Sequence, residues 1–201
     1  MKICLDKGLV LLALAFGCAA AHADPLLYTA HLTGAAEAPP NTSTASGDIT
    51  VAFDSATHYL TISASFDGLA GTSTAAHIHC CTDAAGSGTA GVATMLPSFS
   101  GFPLGVTFGT YGASFDTSQD SFWNPAFVSS HGGSNASAEA ALQAALGNGT
   151  AYFNIHSSAY SGGEIRGFLA PVPEPAQAWL LLAGLPLLWR RRLKPGSDCG
   201  S

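Results

Sequence analysis

From Asp48 to Phe53, and again from His58 to Phe66, apolar and polar side chains alternate, with only Asp54-Ser55-Ala56-Thr57 between the two runs. A period of two sends every second side chain to the same face of a strand, so this stretch dictates a hairpin with one buried side. Leu26 to Thr33 opens the region as another strand, and Gly34 to Ser46 is a loop rich in Pro, Ser and Thr. A further strand covers Ala75 to Cys80, with a Gly-rich loop from Asp83 to Gly91. Leu104 to Phe115 supplies another, in which Gly105, Gly109 and Gly112 mark bulges or turns. Thr150 to His156 and Glu164 to Ala170 are the last two, joined by residues 157–163. Helices are expected over Ser118 to Phe127 and, with a stronger pattern, over Ser137 to Leu146, where Glu139 lies in the first turn and Gly147 is the stop.

Both ends of the chain have a different character. Lys2 and Lys7 precede an apolar run from Gly8 to Ala21, and Ala21-His22-Ala23 stands before Asp24. That order predicts a secretory signal peptide over residues 1–23. At the far end Pro173-Glu174-Pro175 is followed by an apolar stretch from Ala176 to Trp189 and a basic cluster, Arg190-Arg191-Arg192-Leu193-Lys194. As a helix this stretch would be roughly 21 Å long, short of a hydrocarbon core of about 30 Å, which makes it a marginal permanent anchor. The basic residues at both ends stay cytoplasmic by the positive-inside rule, so both ends place the central region outside the cytoplasm.

Residues 24–172 are the length of one domain. They carry ten carboxylates and a single strong base, Arg166, for a net charge near −9. No nucleic-acid partner is expected for such a surface. The low charge density, the many small residues and the lack of heptads exclude a coiled coil or long bundle. The expected fold is mainly β, a single β-sandwich of immunoglobulin-like or dismutase-like type with one or two short helices.

The C-terminal arrangement resembles the PEP-CTERM sorting signal of Gram-negative bacteria: Pro173, Glu174 and Pro175, a short hydrophobic helix, then Arg190, Arg191 and Arg192. The resemblance implies export through the Sec translocon, transient anchoring in the inner membrane, and recognition by an exosortase. It further implies delivery to the cell surface or extracellular matrix, with matrix polysaccharide or protein as partners. The tail from Pro195 to Ser201 is longer than the usual pattern.

His77-Ile78-His79 is the first feature with chemistry in it. Residues two apart on a strand share a face, and His-x-His is a common metal-ligand spacing. Asn154-Ile155-His156 adds a third imidazole by the same parity, with Tyr152, Asn154 and His156 on one face. If Ser157 pairs with Gly163, His156 stands opposite Glu164 and Asn154 opposite Arg166. Glu164 would then accept the second ring N–H of His156, as outer-shell carboxylates do. The competing reading is an ion pair between Glu164 and Arg166 that holds the last strand. Three neutral imidazoles with an open fourth position suit Cu(II) or Zn(II) better than Ca(II). Cys80 and Cys81 have no partner between the two targeting segments, which leaves a vicinal disulfide, metal thiolates or intermolecular bridges; the disulfide is expected. His31, His58 and His131 are read as surface or packing residues, with His131 also able to reach a site from its loop.

Ala76-His77-Ile78-His79, Ala151-Tyr152-Phe153-Asn154-Ile155-His156 and Gly163-Glu164-Ile165-Arg166-Gly167 together resemble the CHRD domain, over about Leu26 to Leu169. The resemblance implies a β-rich extracellular module without an assigned reaction, and places any family site at His77, His79, Asn154, His156, Glu164 and Arg166. Cys80-Cys81 departs from the turn that many members have there. The function expected is therefore an exported, non-catalytic binding or structural module, with a mononuclear copper or zinc protein as the alternative. Dismutase activity is not expected, because no histidine lies between His79 and His131 to build a second metal site.

Overall fold

A computed structural model describes residues 25–173. The expected signal peptide, the apolar stretch 176–189 and the arginine cluster lie outside those residues, as do Glu174 and Pro175. Among the described residues no helix is long and apolar enough to cross a membrane.

The strands are β1 (Leu26–Thr33), β2 (Ser46–Asp54), β3 (Tyr59–Asp67), β4 (Ser73–His79), β5 (Gly109–Asp116), β6 (Tyr152–Ser157), β7 (Ile165–Phe168) and β8 (Ala170–Pro171). All are antiparallel and form one sheet in the order β4-β6-β7-β1-β2-β3-β5, with β8 also pairing β1. This is a mainly β fold, as expected, but the strands make a single curled sheet where two packed sheets were expected. Phe99, from the long connection after β4, shows how the ends approach. Its ring lies 6.2 Å from that of Phe153 on β6 and 5.5 Å from that of Phe115 on β5. The same connection bonds the free edge of β4, through Ala93 N–H to Ile78 O, Phe99 N–H to Ala76 O and Gly105 N–H to Ser73 O. That edge is thereby covered.

Burial follows the alternation. On β3 every second residue is buried, giving Leu60, Ile62, Ala64 and Phe66 to the core. Opposite them β2 contributes Ile49, Val51 and Phe53. Across β4, β6 and β7 the pattern changes, because both faces are buried. One face carries Ala76, Ile78, Phe153, Ile155 and Ile165 into the core. The other carries His77, His79, Tyr152, Asn154 and Arg166, all polar or part-polar and all buried.

Helical boundaries differ from the sequence reading. Ser118 to Phe127 is not one helix: a 3-10 turn covers Asp120–Phe122, and α1 runs Pro125–Ser130 with the Asn124 side chain capping Ala126 N–H. Pro125 at the first helical position disfavours a helical residue before it. The second helix, α2, spans Asn135–Asn148 and passes through Gly147; Gly149, at φ +69°, is the left-handed residue that ends it. Residues 104–108 lie before β5, whose pairing begins at Gly109.

Candidate metal centre

β4 and β6 pair so that His77 faces Asn154 and His79 faces Tyr152, with Ala75 opposite His156. The three imidazoles meet on one face of this strand pair. Their ring centroids form a triangle of 5.4 Å (His77 to His156), 5.8 Å (His77 to His79) and 6.0 Å (His79 to His156). One ring nitrogen from each lies within 4.8 Å of the others. His77 and His79 are 5% and 9% exposed.

Each ring uses one nitrogen to bond a backbone carbonyl: His77 Nε2 to Pro97 O at 2.7 Å, His79 Nδ1 to Ala90 O at 2.9 Å and His156 Nδ1 to Ser161 O at 2.9 Å. A carbonyl oxygen can only accept, so each of these nitrogens carries the proton and the tautomer is fixed. The remaining atoms, His77 Nδ1, His79 Nε2 and His156 Nε2, are buried and have no hydrogen-bond partner. In the neutral rings those three nitrogens are bare lone pairs without a donor, one on each ring of the cluster. A buried acceptor without a donor is costly, and three together fit a cation.

Burial also resists protonation of the rings. It pushes His79 down to about 4, with the Ala90 carbonyl acting the other way and His77, His156 and Arg166 adding to the fall. His77 is lowered by burial too, against the Pro97 carbonyl and with His156.

Glu164 is not where the sequence reading put it. Its register with His156 is as expected, since Asn154 pairs with Arg166 and Ile155 with Ile165. Its carboxylate, however, accepts from Ser43 Oγ and Ala70 N at 2.6 Å each and from Ser157 Oγ. Burial would raise its pKa, but the bonds from Ser157, Ser43, Ala70 and Gly71 hold it below the usual range. The partner of each imidazole N–H is thus a main-chain carbonyl, which needs no carboxylate. Nor does Glu164 pair with Arg166. The Arg166 guanidinium donates to Ala36 O at 2.5 Å and stands 3.8 Å from Glu37 Oε2. It also lies 4.7 Å from the Tyr152 ring centroid, and the Tyr152 ring stacks on His79 at 4.7 Å.

Asn154 donates to Glu37 Oε1 at 2.8 Å, while its Oδ1 is buried without a partner. Glu37, buried in the loop after β1, is pushed up to about 7 by burial, against the lowering effects of Arg166 and Asn154. Sequence reasoning missed Glu37 and the carbonyls of Ala90, Pro97 and Ser161, because a loop carboxylate and a main-chain acceptor leave no side-chain pattern.

Cys80 and Cys81 form a disulfide, as expected, so neither is a thiolate ligand. Three other histidines stand apart from the cluster. His31 bonds Asp48, His131 bonds Phe127 O at the end of α1, and His58 bonds Glu139.

A family model for the CHRD domain matches residues 28–169, which takes in most of β1, all of β2 to β7 and all three histidines. The chain belongs to the CHRD family. Comparisons with curated proteins and with solved structures gave no match.

Proposed function

We propose that this CHRD protein is an exported, non-catalytic module that binds one copper or zinc ion through His77, His79 and His156. The observation that carries the metal reading is a cluster of three imidazoles with ligand atoms within 4.8 Å of one another, each ring having one buried nitrogen without a donor while a carbonyl fixes the other. Family membership favours an extracellular module over an enzyme. The two targeting segments read from the sequence support export through the Sec translocon, exosortase processing near Pro173 and release at the cell surface or into a matrix of polysaccharide and protein. The immunoglobulin-like or dismutase-like sandwich expected from the sequence remains a finer reading of the curled sheet.

When bound, the metal would supply a fixed positive centre joining β4 to β6. His77 and His79 would hold it from one strand and His156 from the next. The Pro97, Ala90 and Ser161 carbonyls would keep each ring turned toward it. Calorimetry and metal analysis of the purified protein test this. Binding of one ion per chain is expected, abolished in the His77→Ala/His79→Ala double variant and retained in His58→Ala. If neither zinc nor copper in either oxidation state binds tighter than about 10 μM, an affinity of roughly 7 kcal/mol, the histidines are structural hydrogen-bonders.

A further inference from the structure

Resting on that metal-binding reading, we propose that the three-histidine site selects monovalent copper over zinc and cupric ion. The donor set is neutral throughout. Each second ring N–H is given to a carbonyl, so none of the imidazoles becomes an anion without losing that bond. Among the described residues no Asp, Glu or Cys joins the cluster. Glu164 is taken by Ser43, Ala70 and Ser157, Glu37 by Asn154 and Arg166, and the two cysteines by each other.

The charged group that acts on His79 is the Arg166 guanidinium, itself 3.8 Å from Glu37 Oε2. Arg166 lies over Tyr152, whose ring stacks on His79. The cost of holding an ion among buried neutral groups grows with the square of its charge, and a guanidinium nearby adds repulsion in proportion to that charge. Both effects penalise a divalent ion more than a monovalent one.

Geometry points the same way. With metal–nitrogen bonds of about 2.0 Å, three imidazoles around one ion place their centroids about 5.5 Å apart if trigonal planar, about 5.1 Å if tetrahedral and about 4.5 Å if mutually perpendicular. Of the observed sides, 5.4 Å meets the trigonal-planar value and 5.8 and 6.0 Å exceed it, so that arrangement needs the least contraction of the cluster. Cu(I) accepts three neutral donors in that arrangement, whereas Zn(II) and Cu(II) call for a fourth donor or more.

The test uses the full chain, stripped of metal with a chelator. Cu(I) is titrated without oxygen against a colorimetric Cu(I) chelator, and Zn(II) and Cu(II) are titrated against indicators of their own. One Cu(I) per chain is expected, bound at least about tenfold tighter than either divalent ion. Bound Cu(II) should be reduced by ascorbate and remain in place, with an X-ray absorption edge of three-coordinate copper. Equal or tighter binding of Zn(II) or Cu(II) overturns the preference and leaves the metal site standing. Failure of all three ions to bind sinks both.

Discussion

An imidazole that gives its only N–H to a carbonyl presents a lone pair on the opposite side of the ring, and this protein does so three times at one place. The residues that made this legible were His77, His79 and His156, whose parity put them on one face before any register was known. The acceptors were not legible, since Ala90 and Pro97 act through their main chains. Glu37 and His79 answer acid in opposite directions. His79 falls from 6.5 to about 4, so the unfolded chain takes its proton first and the metal-free fold loses stability as pH drops through that window. Glu37 rises from 4.5 to about 7, so the folded protein takes the proton first and stability increases as pH drops from 7 to 4.5. The Glu37→Gln variant keeps an acceptor for Asn154 and removes the second effect. Urea unfolding of the metal-free protein at pH 7 and pH 4.5 should therefore show a larger acid loss in this variant than in the parent, by on the order of 3 kcal/mol. Identical losses would remove Glu37 from the account. Gly163 is a further test at this scale. At φ +130° a Cβ there would stand 2.5 Å from Asn154 Nδ2 and 2.8 Å from Glu37 Oε1, so Gly163→Ala should cost about 2 to 3 kcal/mol in the same measurement.

Strands were easier to read than their connections. Alternation gave β2 and β3 to within two residues at either end, because each has one wet face. The helix at Ser118 to Phe127 failed at Pro125, and α2 ran past Gly147 because a helix ends where the backbone turns left-handed, here Gly149, and not at the first glycine. Glu164 belongs to this scale, since it joins elements. Its carboxylate gathers Ser43 from the loop before β2, Ala70 from the turn before β4 and Ser157 at the end of β6. A buried carboxylate with that many donors is a staple. Glu164→Ala leaves those donors without an acceptor and should destabilise the fold by about 3 kcal/mol or more, read by thermal unfolding. Metal affinity in whatever fraction stays folded should be unchanged, which separates this role from the outer-shell one. Glu139 makes a similar tie, accepting from Thr117 at 2.5 Å and bonding His58 at 3.0 Å, and so docks α2 against the β2–β3 turn. That structural bond is why His58 serves as a control for metal binding.

At the scale of the molecule the charge pattern, the two ends and the sheet make separate demands. If both ends are removable signals, protein recovered from the cell surface or medium should begin at Asp24 and end near Pro173. Intact mass decides this, and Trp179 or Trp189 in the released form would count against it. Within that released module the metal would join strands that the curled sheet leaves at one end, together with the connection carrying Ala90 and Pro97. An ion that binds only the folded protein stabilises it by about 2.7 kcal/mol at a hundredfold excess over Kd. For a domain of this length that corresponds to a rise in Tm of roughly 5 to 10 °C. Scanning calorimetry with and without copper should show this rise in the parent and none in the His77→Ala/His79→Ala variant. The gain should also appear as slower hydrogen exchange in β4, β6 and residues 90–97, because those segments carry the ligands and the carbonyls that orient them. In the sheet order β7 and β1 stand between the β2–β3 hairpin and the strands that carry the ligands, so its protection should change only as far as global stability does. A uniform change across the sheet would mean that the ion acts on overall stability alone, and that the carbonyl-held rings are not what couples the connection to the metal.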